Sequence, residues 1–527
     1  MNFTDKLRRR SLAALQLVLL LALGGPAPAQ PPAAVPDAVP GVSPLRPPAW
    51  LADGGAQARV ALRLLDEASL HGLDPASYAA PALARRLDAL SPESATQSTA
   101  EVRALEHDLT AAMLRYLADL HRGRTPSGYR PAAPASAPVF DARPLLAKAL
   151  DERRLEAAVE AAAPAFPLYR RVQASLAEYR ALARDHPHWP PLPPVPPDGL
   201  AAETTYAGAG LLRERLRLLG DLDGDAPAGD GDAYAGELAA ALRRFQARHG
   251  LAEDGVLGAN TLAALSVPPS RRALQLALTL ERLRWLPPPA PGRTILVNLP
   301  AYRLWAFDTR DAVPGPILEM RVIVGSAVKT PTPLFIGAMR SVEFNPYWNV
   351  PRSIAVNEII PKLARNPGYL RQNDMELVSR SGQVLASPAA GTPALLRAGS
   401  ARVRQRPGPK NALGGVKFGM PNPMDIYLHS TGSPELFART RRDLSHGCIR
   451  VEHPAALAAF VLADPREWSV DAVTAAIGSG LTRSVRLPEV VPVVLFYATA
   501  VTDRQGRALF AEDIYGRDAG LAEALAR

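Results

Sequence analysis

Disulfides are the first thing this chain cannot build: among 527 residues Cys448 is the only cysteine, and a lone thiol has no internal partner. Structural zinc sites want four ligands at spacings such as CxxC or HxxxH, and one cysteine among scattered histidines does not supply them. No metal and no cofactor is therefore expected. There is no basic run interleaved with aromatics and no nucleic-acid module signature, so nucleic acid is not an expected partner. The N-terminal apolar run, Leu12 to Leu23, falls short of the about 20 residues that span a bilayer comfortably.

What is present reads as a large globular chain. Its length predicts two to four domains with ample core, and 47% hydrophobic against 21% charged residues agrees with that. Proline, at 53 residues, clusters in linkers. Residues 1–29 have the pattern of a secretory signal: Lys6, Arg8, Arg9 and Arg10, then the apolar run, then Ala27-Pro28-Ala29 as a cleavage site. A retained anchor stays open as the alternative to cleavage. Export makes the single thiol more telling, because an unpaired cysteine in an oxidising compartment is a hazard unless it is needed. Without residues 1–29, which carry four cations and one carboxylate, the formal net charge falls from +9 to +6. That mild excess suits an anionic envelope polymer or a membrane surface.

Along the chain, residues 30–48 form a Pro/Ala-rich linker. Helical periodicity marks 49–195 as a helical scaffold domain, with Leu51, Ala58, Ala61, Leu62, Leu65 and Ala68 on one face and Leu105, Leu109, Met113, Leu117 and Leu120 on another. Further helices are expected over 144–163 and 168–185, and His71, His107, His121, His186 and His188 read as ordinary surface or capping residues. Residues 200–268 contain a helix with Leu238, Ala241, Leu242, Phe245 and Gln246, a turn at Asp254-Gly255, and a second helix from Asn260. A connecting helix is expected over 271–288. From Gly292 the apolar period becomes two, and 292–515 reads as a mostly β domain, with 351–424 inserted between its halves. A long insertion beside a candidate site reads as a lid. The strands expected include 294–299, 303–307, 320–325, 339–344, 424–429 and 490–497, with 508–510 closing the sheet.

The chemistry gathers near His429-Ser430-Thr431-Gly432 and Ser445-His446-Gly447-Cys448-Ile449-Arg450. A thiol is nucleophilic as the thiolate, and an imidazole can take its proton. His429 lies 19 positions before Cys448, so the two must meet through folding, with His429 ending a strand and Cys448 on a neighbouring turn. His446 would point the same way as Cys448 on an extended segment. Gly447 permits a tight turn whose amides could form an oxyanion hole, and Arg450 offers a fork for a carboxylate. Tyr427 alternates with His429 on its strand, and Trp348 sits where the chain enters the insertion. The Ser430 carbonyl or side chain is the candidate for orienting His429. These residues point to thiol-based acyl transfer. An inert cysteine in a non-catalytic scaffold and a zinc-dependent peptidase remain as other readings.

The stretch Ser445-His446-Gly447-Cys448-Ile449-Arg450, preceded by His429, resembles the signature of L,D-transpeptidase catalytic domains of the YkuD type. The flanks from Phe344 to Pro351 and from Arg406 to Gly414 resemble the large periplasmic YcbB-type members, and 233–265 resembles the three-helix peptidoglycan-binding domain. The implied fold is an α+β multidomain chain: helical scaffold, three-helix peptidoglycan-binding module, and a mostly β catalytic domain with a lid insertion. The implied activity is 3→3 cross-linking of peptidoglycan, through a thioester of Cys448 with the third residue of a tetrapeptide stem and release of D-alanine. Water in place of the acceptor amine would give an L,D-carboxypeptidase. The resemblance makes Cys448 and His429 catalytic, gives His446 and Gly447 to the pocket, and places Arg450, Tyr427, Trp348, Ser445 and Ser430 against the substrate. The expected partners are peptidoglycan stem peptides and glycan. The expected setting is a periplasmic monomer close to the inner membrane.

Overall fold

In the computed structural model, the described residues are 50–90, 99–131, 140–224, 231–288, 291–310, 318–385 and 391–527; the expected export signal and the Pro/Ala-rich linker lie outside them. Helices Ala56–Asp66, Ala80–Asp88, Ala100–Arg122, Ala142–Asp151 and Leu155–Ala162 share one core, in which Leu65, Leu105, Leu109, Tyr116 and Leu117 are buried. Their apolar residues recur every three or four positions, which puts them on one helix face. Thr99 caps the longest of these helices by accepting the Val102 amide at 3.2 Å. The single helix expected over 144–163 is two, separated where Arg153 takes a left-handed φ of 53°. His71, expected as a surface or capping residue, is buried: its Nδ1 lies 3.1 Å from the Tyr169 hydroxyl. Burial and the nearby Arg284 push its pKa down to about 3.

Residues 206–266 hold helices Ala209–Leu218, Gly236–Arg248 and Ala259–Ser266, with strands β1 (Thr204–Thr205) and β2 (Ala233–Tyr234) paired beside them. Gln246 explains why a glutamine sits on the apolar face of the middle helix. Its Nε2 donates to Asp254 Oδ1 and the Val256 carbonyl, both at 3.0 Å, while its Oε1 accepts the Gly255 amide at 2.9 Å. One buried amide thus holds the whole Asp-Gly turn.

The connecting helix, Pro269–Arg284, is a shared strut. It packs along helix Pro167–Asp185 through Tyr169, Val172, Leu176, Leu276, Leu280 and Leu283. Inside that contact Glu281 accepts the Arg124 and Thr125 amides at 2.8 and 3.0 Å and lies 3.1 Å from Arg284 Nη1. Burial alone would raise the Glu281 carboxyl, but Arg284 and the Thr125 hydrogen bonds more than offset it and hold it below its ordinary value.

The β domain contains β3 (Arg293–Asn298), β4 (Arg303–Asp308), β5 (Leu318–Gly325), β6 (Phe335–Phe344), β7 (Trp348–Asn349), β8 (Met375–Ser379), β9 (Ala401–Gln405), β10 (Val416–Gly419), β11 (Leu428–His429), β12 (Asp443–Ser445), β13 (Ile449–Val451) and β14 (Arg483–Phe496). Neighbours run β5-β13-β11-β10-β6-β14-β3-β4, and β4 pairs back onto β5, so the sheet closes on itself with β12 alongside β5. Closure removes open edges. Alternate residues, among them Ile295, Val322, Phe344, Phe418, Leu428, Ile449 and Val493, fill the interior.

The insertion is a folded unit with its own core. β7, β9 and β8 form a three-stranded sheet over Val350, Ile359, Leu363, Leu377 and Val403. It closes before Val416, not at Met424, because β10 pairs with β6 and β11 inside the barrel. Ala508–Phe510 does not join the barrel either: as β16 it pairs with β15 (Ala500–Thr502) against the strut helices. The strand expected over 424–429 is only Leu428–His429, since Asn422 ties the preceding residues into a loop by donating to the Met420 and Ile426 carbonyls at 2.6 and 2.7 Å.

Replacing Glu281 by alanine leaves Arg284 buried without its carboxylate, a loss of about 3–5 kcal/mol. The melting midpoint of the E281A variant should fall by roughly 5–10 °C. A midpoint within about 1 °C of the parent would show that the strut does not depend on this pair.

Candidate functional site

β11 and β13 run parallel, with Leu428 opposite Ile449 and His429 opposite Arg450. Leu428 and Ile449 fill the barrel interior, so the residues alternating with them face outward. Tyr427, His429, Cys448 and Arg450 therefore share one outer face. Lys417 on β10, directly across from His429, joins them. The Tyr427 and His429 rings stand 5.7 Å apart edge to face. Lys417 Nζ lies 4.9 Å over the Tyr427 ring and 3.8 Å from Glu343 on β6.

His429 is buried, and its Nδ1 lies 2.6 Å from the Ser430 carbonyl. A carbonyl only accepts, so Nδ1 carries the proton and Nε2 is left as the basic atom. Ser430 thus orients the imidazole through its backbone, while its hydroxyl donates to the Leu413 carbonyl at 2.9 Å and accepts the Val416 amide at 3.0 Å. Burial and the Arg450 guanidinium lower the His429 pKa to about 3. The ring is neutral throughout the neutral range.

Cys448 Sγ is turned towards the Asp425 carbonyl, 3.5 Å away; no hydrogen bond joins it to His429. Burial pushes the thiol up, against the Tyr427 amide and hydroxyl and the Lys417 cation, which pull it down. Trp348, at the root of the insertion, hydrogen-bonds the Tyr427 side chain, so two aromatic residues distant in sequence meet beside the sulfur. Arg450 is largely buried, with its Nε lacking a hydrogen-bond partner. Burial lowers its pKa, with the Cys448 sulfur opposing. Glu452, two residues further on, does not pair with it: that carboxylate is taken by Arg321, whose Nε lies 2.8 Å from Oε1.

The turn before Cys448 departs from the sequence expectation. Gly447 has φ 119°, a left-handed value that breaks the alternation, so His446 does not follow Cys448. His446 faces solvent, with Nε2 2.5 Å from Glu358 Oε1 of the insertion. The Gly447 amide is occupied by Ser445 Oγ at 3.1 Å, and that hydroxyl donates to the Cys448 carbonyl at 2.5 Å. Of the two amides expected for an oxyanion hole, only that of Cys448 has no acceptor among the described residues.

Several supporting residues escaped the sequence reading. Thr332 Oγ1 donates to the Gly447 carbonyl and accepts the Gly325 amide, both at 2.8 Å. The Tyr515 hydroxyl donates to the Gly325 carbonyl at 2.8 Å. Proline on both sides of Thr332 and Asn422 was the available signal of shaped loops. Lys417 and Glu358 had none, because their positions depend on pairing. Among the described residues no group of three or more His, Cys, Asp or Glu could hold a metal, and no helix is long and apolar enough to cross a membrane.

A closed β domain carries a thiol, a neutral imidazole and an arginine on one face and is joined to two helical units. Residues 292–483 match the family described as "L,D-transpeptidase catalytic domain", YkuD. Residues 206–265 match the family described as "Putative peptidoglycan binding domain" and residues 46–176 the family described as "Scaffold domain". A curated Haemophilus influenzae protein named "Putative L,D-transpeptidase" is 34% identical over 244 residues, which cover 46% of this chain and 48% of that protein. The chain thus matches about half the length of that relative. The crystal structure of an L,D-transpeptidase from Xylanimonas cellulosilytica aligns at 15% identity and TM-score 0.17, over 57% of this chain and 99% of that one; so low a score carries no argument about the fold.

With a raised thiol and a neutral imidazole, the resting pair is uncharged. The rate of Cys448 alkylation by iodoacetamide should therefore climb steadily from about pH 6 upward. A thiolate–imidazolium pair would instead give a plateau across roughly pH 5–8. Lys417→Met removes a cation that favours the thiolate, and should slow alkylation about threefold near neutral pH. An acid-side plateau, or a Lys417→Met variant as fast as the parent, would contradict this electrostatic account.

Proposed function

We propose that the protein cross-links peptidoglycan stems by acyl transfer through Cys448, forming 3→3 bonds. The observation that carries this reading is the parallel register of β11 and β13, which sets the thiol, the imidazole and a free buried guanidinium side by side. Rotation of the Cys448 side chain from Asp425 towards His429 brings Sγ to Nε2. His429 takes the thiol proton as sulfur attacks the carbonyl of the third stem residue. The Cys448 amide, with the Tyr427 hydroxyl beside it, stabilises the oxyanion, a contribution of about 3–4 kcal/mol per donor in comparable sites. The tetrahedral adduct collapses, the C–N bond to D-alanine breaks, and the proton on His429 leaves with that amine. A side-chain amine from a second stem then attacks the thioester and gives its proton to His429. The amide forms, and sulfur leaves to recover its proton.

In this reading Arg450 holds a stem carboxylate, Tyr427 and Trp348 wall the peptide, and Ser445 and Gly447 fix the turn. His446 belongs to the rim rather than to the chemistry. The insertion serves as a lid, the module at 206–265 keeps the enzyme on the glycan, and residues 1–29 direct export to the periplasm, where the substrate lies. Water replacing the amine would make the same site an L,D-carboxypeptidase.

Mass spectrometry of muropeptides incubated with the protein tests this. The expected product is a dimer bridged between third residues, accompanied by free D-alanine, and a Cys448→Ser variant should lose at least about 10³-fold. Tripeptides without dimers would establish the hydrolase instead. Cross-linking by Cys448→Ser at the parental rate would end the thiol reading.

A further inference from the structure

Charge is distributed very unevenly along the chain. Residues 351–415 hold ten Lys or Arg against three Asp or Glu, a net of +7. The chain's formal +9 is thus +3 from residues 1–29, +7 from this insertion, and −1 from everything else. Helix propensity and packing do not call for this, because the insertion's core is built from Val350, Ile359, Leu363, Leu377 and Val403. Its cations are at the surface, and Arg352, Lys362, Arg365, Arg371 and Arg402 are all exposed.

The charge reaches the catalytic motif along one helix face. Glu358, which contacts His446, is followed at spacings of four and three residues by Lys362 and Arg365, so the three share a stripe. Lys362 Nζ lies 3.8 Å from Glu358 and 5.4 Å over the Tyr369 ring. Arg365 makes no ion pair among the described residues. Glu358 itself lies in a π-helical turn, Ala355–Ile359, a distortion found often at functional positions. The stripe begins at His446, two residues before the thiol, whereas Arg450 lies two residues after it. The insertion's cations thus approach the motif from the His446 side, while Arg450 stands on the barrel face beside His429.

A transpeptidase has to bring two chains together, and murein stems carry more carboxylates than amines. Two like-charged peptides repel each other as the amine nears the thioester, and a cationic wall offsets that repulsion. Arg450 and Lys417 sit on the face that receives the donor. We propose that the Lys362–Arg365 stripe of the insertion binds the carboxylates of the acceptor stem, the peptide that delivers the amine. The proposal rests on the transpeptidase reading above and assigns the second of its two substrates to the insertion.

The test separates the two half-reactions on the full chain. A tetrapeptide stem serves as donor, and the acyl-enzyme is followed by intact mass. A tripeptide stem with a free side-chain amine serves as acceptor, compared with the same peptide amidated at its carboxylates. In K362E/R365E, acylation should stay within about twofold of the parent while dimer formation drops about tenfold. Amidating the acceptor should slow the parent and leave the variant nearly unaffected. The neutral pair K362Q/R365Q should lose about threefold, and thermal melting checks that both variants fold. Unchanged dimer formation overturns the proposal, as does a parallel fall in acylation, which would make the stripe a donor site. Loss of cosedimentation with phosphatidylglycerol vesicles at unchanged dimer yield would assign the cations to a membrane surface and also overturn it. If the parent itself forms no acyl-enzyme, the transpeptidase reading fails and this proposal with it.

Discussion

The parallel pairing of β11 with β13 is the constraint on which the site depends. Antiparallel neighbours can be joined by a two-residue turn, but parallel neighbours need a crossover of a dozen residues or more. Residues 430–448 are that crossover, and they include the short helix Pro434–Ala438 and strand β12. The 19 positions between His429 and Cys448 are thus the length of chain needed to leave one strand and return beside it in the same direction. A slip of one residue in this register would turn His429 into the barrel interior and Leu428 out of it. The register is held from both ends. Asn422 fixes the loop entering β11, and Thr332 and Tyr515 grip the turn entering β13.

The same use of buried polar contacts joins the barrel to the helical units. Arg248 donates to Asp221 Oδ1 at 2.8 Å and to the Ala508 carbonyl at 2.6 Å, linking the 206–265 module to the hairpin β15–β16. Arg282 of the strut reaches Asp518 at 2.6 Å, and Thr499 donates to the same carboxylate at 2.6 Å. Each such pair costs desolvation and gains little net stability, but each is satisfied in only one arrangement of the parts. Apolar contact through Leu276, Leu280 and Leu283 supplies adhesion, and the ion pairs supply orientation. This explains why the strut follows the 206–265 module in sequence yet packs on the helices that precede it.

How much of this the sequence revealed depended on the range of the interactions. Helix Pro454–Leu462 and the glycine turn before Cys448 follow from local pattern, because caps, prolines and periodicity act within a few residues. The gathering of Cys448, His429, Arg450 and Tyr427 was legible as a motif, though its geometry was not. The Gly447 amide looked free for an oxyanion until its partner, Ser445 Oγ, was placed two residues away. The strands of the insertion were hidden because β8 and β9 carry charge on their outward positions: Glu376 and Arg404 sit directly opposite each other. Read singly, such segments look like polar loops. Buried His71 was missed for a related reason, since the Tyr169 ring beside it comes from an element far away in sequence.

The uncharged state of the thiol and imidazole has a consequence for when the site becomes active. His429 is a weak base at rest because burial and the Arg450 charge both disfavour its protonated form. Burial cannot change while the site stays covered, but the field of Arg450 can. If, as proposed above, a stem carboxylate seats on that guanidinium, its charge would be neutralised and the His429 pKa would move up towards its ordinary value. In that proposal the imidazole would become a stronger base once the carboxylate is in place. The arginine two residues after the cysteine would then do more than grip an anion: its charge keeps the imidazole weak, and on the proposed reading the substrate's own carboxylate would remove that restraint.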